Sequence, residues 1–204
     1  MPKKNCVSFS AHFIFPETVL YFLEIKNGSS IGKERKMNMR EYRADDLETV
    51  MSIANEAWRP IRQMSREALG DAISDLMNPA GDANSKGLQV KAQIESGKCG
   101  IAVCEHEGAV VGFITWFING PFGEICNNGA LKSSGLKGIG QTMYRYVLDR
   151  FRQEGVKVAK VTTGLDSAHA PARRAYERAG FKRHLDSTTY YLDLEETENE
   201  IPKV

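Results

Sequence analysis

Three glycines within six residues, followed at once by an apolar period of four, constrain this chain more than any other feature. In the run Leu131 to Phe151, LKSSGLKGIGQTMYRYVLDRF, Gly135, Gly138 and Gly140 interleave with the start of the series Ile139, Met143, Val147, Phe151. Apolar residues at that spacing predict one buried stripe of a helix, so the helix begins inside the glycines. A glycine has no Cβ, and backbone there can approach a ligand closely. The first helical turn leaves N–H groups without partners and carries partial positive charge, an arrangement that holds phosphate oxygens. A plain tight turn fits the same residues, so the run alone leaves turn and anion cradle open. Two other phosphate-binding designs are excluded. A dinucleotide fingerprint needs a parallel βαβ start and an acidic residue about twenty positions on, whereas AKVTTGLD puts Asp166 past a glycine. A Walker loop needs Gly-Lys-Ser/Thr, which does not follow.

At 204 residues the chain is sized for one domain with tails. Hydrophobic residues at 42% and charged ones at 26% are the balance of a soluble globular protein. A net charge of +1 supplies no long-range field for a nucleic-acid backbone. The arginines Arg145, Arg150, Arg152, Arg173, Arg174 and Arg178 read as solvated outer helix faces, and no nucleic-acid partner is expected. Cys6, Cys99, Cys104 and Cys126 lack C-x-x-C spacing and the four histidines form no i,i+4 pair. They read as reduced thiols of a cytoplasmic protein with no metal. Residues 1–36 carry no clear cleavage site, and no apolar segment approaches about twenty residues, so neither secretion nor a membrane span is expected. They read as an extension that is dispensable to a domain over 37–195, with 196–204 a polar tail.

From Met39 the chain predicts a short strand and then a helix Leu47 to Trp58, capped by Asp45 or Asp46 and ended by Arg59 and Pro60. A second helix runs from Ser65 to about Met77, and a third from Leu88 to Ile94, stopped near Gly97. Two antiparallel strands follow, Gly100 to Glu105 and Ala109 to Ile118, turning at His106, Glu107 and Gly108. Consecutive bulky residues in the second predict a central strand covered on both faces. Glu124 to Leu131 is the strand entering the glycine loop. After the long helix, stopped by Gly155, a strand from Val156 to Thr163 turns Val156, Val158 and Val161 inward. A helix with Ala172, Ala175, Tyr176 and Ala179 on one face ends at Gly180. Phe181 to His184 and Thr188 to Leu194 predict a closing hairpin.

Read with its flanks, the glycine run resembles the acyl-CoA binding motif of the GNAT superfamily of N-acetyltransferases, in which x-Pro-x-x-(Gln/Arg)-x-x-Gly-x-(Gly/Ala) leads into a long helix. Gly138 and Gly140 match; Lys132, Gly135 and Leu136 depart. Downstream, HAPARRAYERAGF resembles the second family motif, Asn-x-x-Ala-x-x-x-Tyr-x-x-x-Gly-Phe, with Ala172, Tyr176, Gly180 and Phe181 in register and His169 at the asparagine position. The order of elements agrees. The resemblance implies an α/β (α+β) fold: a mixed, mostly antiparallel sheet of about six to seven strands with a splayed parallel pair and helices on both faces.

It also implies acetyl-CoA as cosubstrate, lying in the splay. Ala130, Leu131 and Lys132 would meet the pantetheine, and Leu136, Lys137, Gly138, Ile139, Gly140 and Gln141 the pyrophosphate, mainly through main-chain donors. His169 and Ala172 would contact the coenzyme from the next helix. Acyl transfer to an amine needs a free amine, donors for the oxyanion and a proton for the departing thiolate. Tyr176 is the candidate acid, with an aromatic anchor as the bland reading, and Glu124 the candidate base, with an exposed strand-end carboxylate as its own. Consecutive amides at Asn127 and Asn128 are costly on an apolar strand unless hydrogen-bonded; they mark a bulge at the splay or line the acceptor pocket. Trp58 and Arg59 fall where the family contacts its acceptor, and Arg59 suits a carboxylate there. A small-molecule or peptide amine is the expected partner, with a homodimer left open. The rival reading is a degenerate fold that binds CoA as a sensor or scaffold.

Overall fold

The computed structural model describes residues 37–195; the expectations for 1–36 and 196–204 lie outside them. Strands β1 (Asn38–Glu41), β2 (Gly100–His106), β3 (Ala109–Asn119), β4 (Phe122–Ala130) and β5 (Val158–Val161) form one sheet in sequential order. Every pairing is antiparallel except β4 with β5. Local chemistry sets the hairpins. Glu107 and Gly108 both take positive φ between β2 and β3, which gives the two-residue turn whose twist matches the strands. The parallel step from β4 to β5 requires a crossover, supplied by α3 (Ile139–Gln153).

Helices cover both faces. On one, α3 and α4 (Ala170–Ala179) pack Ile139, Met143, Tyr144, Val147, Phe151 and Tyr176 against Ala102, Cys104, Val111, Ile114, Trp116 and Ile125. On the other, α1 (Leu47–Met77) and α2 (Ser85–Glu95) pack Val50, Ile53, Ala54 and Val90 against Val103 and Phe113. The alternation Ala102, Val103, Cys104 between the two cores is the period-two signature of a strand buried on both sides. The expected stripe of α3 is buried at all four positions. Among the described residues no helix is long and apolar enough to cross a membrane, and no group of three His, Cys, Asp or Glu residues is placed to hold a metal ion.

Four local expectations are corrected. Helix α1 does not stop at Arg59 and Pro60; it continues through Pro60 and breaks at Gly70, whose φ of 77° and ψ of 173° leave the helical region. A proline removes one hydrogen bond, which packed flanks can absorb, whereas the conformation at Gly70 is open to glycine almost alone. Arg66 spans that break, reaching Asp71 at 2.8 Å and Asp75 and Asp82 at 2.7 Å. Asp46 does not cap α1 with its side chain, because Arg40 and the Arg43 N–H take its carboxylate. At β5, Val156 just before the strand and Ala159 and Val161 within it pack inward, while Val158 is 48% exposed. Finally, no strand follows α4 among the described residues, so the sheet has five strands. The residues between the two predicted arms, Leu185, Asp186 and Ser187, offer no glycine or asparagine for a tight hairpin turn, and Leu185, Tyr190, Leu192 and Leu194 stay exposed.

Candidate functional site

Strands β4 and β5 part company halfway along. Their parallel register runs from Phe122 opposite Val158 to Ile125 opposite Val161 and stops there, while β4 goes on to Ala130 paired with β3 alone. The same point carries a bulge. Ile114 faces Asn128 and Trp116 faces Ile125, so β4 advances three residues while β3 advances two. The extra residue resets the alternation. Ile125 packs in the α3-side core; beyond the bulge Asn127 turns to the α2 side and Asn128 to the α3 side. Asn127 is 9% exposed. Its N–H donates to Thr115 Oγ1 at 3.0 Å and its Nδ2 to Gln93 Oε1 at 2.6 Å. The backbone N–H displaced by the bulge thereby finds a partner in Thr115, and the Asn127 side chain is engaged by Gln93, so Asn127 closes the bulge.

Asn128 meets two buried tyrosines. Its Nδ2 donates to Tyr176 Oη at 3.1 Å and its Oδ1 accepts from Tyr144 Oη at 2.9 Å. The rings of Tyr144 and Tyr176 lie 5.3 Å apart, and Phe181 stands edge-on to Tyr176 at 6.1 Å. Tyr176 is thus both the aromatic anchor of α4 and a phenol reaching a strand that has lost its neighbour. Burial raises its pKa, against which the hydrogen bond from Asn128 stabilises the phenolate. Burial and the adjoining Tyr176 push Tyr144 upward with no such relief. Tyr144 escaped the sequence reading because it lies beside the stripe, although a buried tyrosine usually needs a partner for its hydroxyl.

The glycine turn is open. Gly135 and Gly138 take φ of 68° and 87°. A Cβ at Gly135 would meet nothing within 4 Å, and one at Gly138 only the Met37 methyl at 3.6 Å. The Thr142 N–H bonds the Gly138 carbonyl at 3.0 Å, so the N–H groups of Ile139, Gly140 and Gln141 precede the first helical bond. Ile139 is buried, and Gln141 donates to the Ala175 carbonyl at 2.8 Å, tying α3 to α4. Leu136 packs against the α3-side core, while Lys132 and Lys137 are exposed. What this turn offers an anion is therefore backbone. The Glu56 carboxylate, absent from the sequence reading, accepts from the N–H groups of Lys132 and Ser133 at 3.0 and 3.3 Å. It links α1 to the loop before α3.

The remaining residues are scattered. Glu124 lies opposite Lys160, ion-paired at 3.0 Å and 40% exposed, on the face away from Ile125. Arg59 lines a cleft of about 370 Å³ with Glu48, Ser52, Asn55 and Glu56. Trp58 is turned elsewhere, its ring carrying the Lys86 ammonium at 4.3 Å. His169 does not cap α4 with its side chain. Its ring and its N–H engage Asp166 at 2.6 and 3.0 Å, and Arg173 donates to the carbonyls of Gly164 and Asp166. Gly164 makes this possible, since a Cβ there would sit 2.3 Å from the Asp166 carboxylate. Ala130 and Ala172 both pack on the α3-side core. Among the arginines, Arg150 and Arg152 pair with Glu154 and Asp149 on their own helix, as solvated helix faces do.

Residues 53–181 match the sequence profile of the acetyltransferase (GNAT) family. No curated protein matches the chain. Among solved structures it resembles the PaiA N-acetyltransferase of Thermoplasma acidophilum in complex with coenzyme A, with a TM-score of 0.54 and 17% identity over 72% of this chain and 90% of that one. It also resembles a GNAT family acetyltransferase of Brucella melitensis in complex with acetyl-CoA, at 0.50 and 20% over 74% and 85%. A third likeness is to a GCN5-related N-acetyltransferase of Ralstonia eutropha, at 0.51 and 21% over 76% and 99%. At these identities the three likenesses concern the fold.

Proposed function

The chain belongs to the GNAT acetyltransferase family, and from that premise we propose that it moves an acetyl group from acetyl-CoA directly to an amine. The observation that carries the proposal is the conjunction of an open glycine turn at the head of α3 with a β4–β5 pair that stops at Ile125 and Val161. The turn would hold the pyrophosphate on the N–H groups of Ile139 to Gln141. The unpaired side of Cys126 to Ala130 would hold the amide-rich pantetheine arm, with each strand donor gaining a partner. The thioester then lies beside Tyr176, whose phenol protonates the departing thiolate. Glu124, in water contact, takes the proton of the attacking amine and shares its lone pairs with Lys160. Arg59 and its cleft, linked to the loop through Glu56, are the proposed acceptor side.

Binding of CoA by calorimetry, followed by thiol release with a panel of amines, tests the reading. Tyr176→Phe is expected to lower kcat about a hundredfold with coenzyme binding retained. Unchanged turnover would make Tyr176 an anchor alone. Binding without turnover on any amine would favour the sensor, in which Gly135 lacks the side chain that the family motif places there.

A further inference from the structure

The polar contact that closes the gap end of β4 deepens this reading and rests on it. We infer that Asn128 is the positioning residue for the Tyr176 phenol, its Nδ2 donating to the phenol oxygen so that the phenolic proton is turned into the space where β4 and β5 have separated. Two distances set the direction. Tyr144 Oη stands 2.9 Å from Asn128 Oδ1, and Tyr176 Oη stands 3.1 Å from Asn128 Nδ2. Tyr144, 3% exposed, has its hydroxyl proton directed at the one carbonyl oxygen of the amide. In this arrangement the end of the amide that faces Tyr176 is the N–H₂. An oxygen that receives an N–H cannot spend its own proton there, so the proton points elsewhere.

The bulge is what makes this geometry available. Had β4 kept step with β3, Asn128 would have followed Ile125 onto the opposite face; the added residue returns it to the α3 side, beyond the last β4–β5 pair. The two tyrosines then divide their tasks. Tyr144 remains a phenol and holds the amide. Tyr176 gives up its proton: its O–H bond breaks, the S–H bond of the free thiol forms, and the phenolate is held by the Asn128 N–H. The amine proton, released through Glu124 or water, restores the phenol, so products are amide and thiol with the residue regenerated. Of the groups packed against Tyr176, Tyr144 from α3 is the titratable one and Asn128 from β4 the dipole. On α4 itself Arg173 is directed to the carbonyls of Gly164 and Asp166, and Gln141 to the carbonyl of Ala175.

Asn128→Leu removes the donor at similar volume. With tyrosines labelled at ¹³Cζ, the Tyr176 resonance, assigned by its loss in Tyr176→Phe, is expected to ionise at higher pH by about one unit or more in Asn128→Leu. This measurement needs no turnover, so it stands whether or not an acceptor is found. An unmoved resonance would overturn the inference while leaving the acetyl-transfer reading intact. In the active enzyme Asn128→Leu is expected to lower kcat about tenfold to a hundredfold at constant KM for acetyl-CoA. In the Tyr176→Phe background the same substitution should cost almost nothing, since both act on one proton. Equal losses in the two backgrounds would show that Asn128 only supports the strand. Tyr144→Phe releases the amide and should cost a smaller factor, again only when Tyr176 is present.

Discussion

Gly112→Ala tests whether the seat of α3 on the sheet sets the open turn. Gly112 lies on β3 between Cys104 of β2 and Ala130 of β4. A methyl there would stand 2.7 Å from Ile139 Cγ2, 3.0 Å from Met143 Sδ and 3.1 Å from the Gly129 carbonyl oxygen. Ordinary contact begins at 3.4 Å, so Ile139 must retreat by about 0.7 Å. Met143 can yield by rotating. Ile139 is the first residue of α3 and 3% exposed, and it moves only if the helix tilts. Overpacking of this kind costs about 1–3 kcal/mol, and replacing a strand glycine by alanine offsets about 0.5–1 kcal/mol. A net loss of about 1–2 kcal/mol lowers Tm by roughly 2–8 °C at this size. Tilting the first turn also displaces its N–H groups, so coenzyme affinity should fall about three- to tenfold. Ile139→Leu deletes the clashing Cγ2 branch at equal volume and should recover most of both losses in the double variant. Scanning calorimetry with and without CoA reads the two quantities. A Gly112→Ala protein that melts within 1 °C of wild type, or a double variant with purely additive losses, would refute the close-packing account.

Arg40→Ala strips Asp46, 8% exposed, of a cation held at 2.7 and 2.8 Å. Breaking a fully buried pair costs about 3–5 kcal/mol, and partial exposure of Arg40 reduces this to roughly 2–3 kcal/mol, measurable by urea unfolding. Hydrogen bonding from Arg40 holds the Asp46 carboxyl below its usual value. The stabilisation is therefore present above the unfolded carboxylate range and lost as pH falls through the folded value, and Arg40→Ala should flatten the acid limb of the stability curve. Lys86 has the opposite sign. Burial, aided by Arg62, pulls its ammonium down to about 8, so the unfolded chain binds more protons from there to the normal lysine range and stability rises with pH across that window. Lys86→Met should raise stability at pH 7 by about 1–2 kcal/mol and abolish the rise, despite losing the contact over Trp58. A lower Tm at pH 7 would mean that the ion–ring contact outweighs the buried charge.

The stripe Ile139, Met143, Val147, Phe151 was legible because helical periodicity is local: each member is placed by the one four residues earlier. The order of strands and helices, the turn at Glu107 and Gly108, and the stops at Gly155 and Gly180 were legible for the same reason. With those elements came the two motif stretches that carry the resemblance. Pro60 and Gly70 mark the limit of local reading, since both are helix breakers on paper, yet α1 runs on through Pro60 and breaks at Gly70. The closing hairpin is the converse case: Thr188 to Leu194 has the alternation of a strand, but a strand also requires an edge to bond, which alternation cannot supply.

What tertiary structure alone decided is the interior of the site. Asn127 and Asn128 were readable as a costly pair, yet which of them closes the bulge depends on Thr115 of the paired strand and on Gln93 of α2, 34 residues away. Tyr144 becomes a partner of Tyr176 only because a crossover helix brings it beneath β4. The hold of Glu56 on Lys132 and Ser133 joins residues 76 and 77 positions apart. Backbone conformation and burial pattern are set by near neighbours and can be read along the chain. The direction in which a buried polar atom spends its proton is set by whatever the fold packs against it, and for Tyr176 that came from a strand and a second helix.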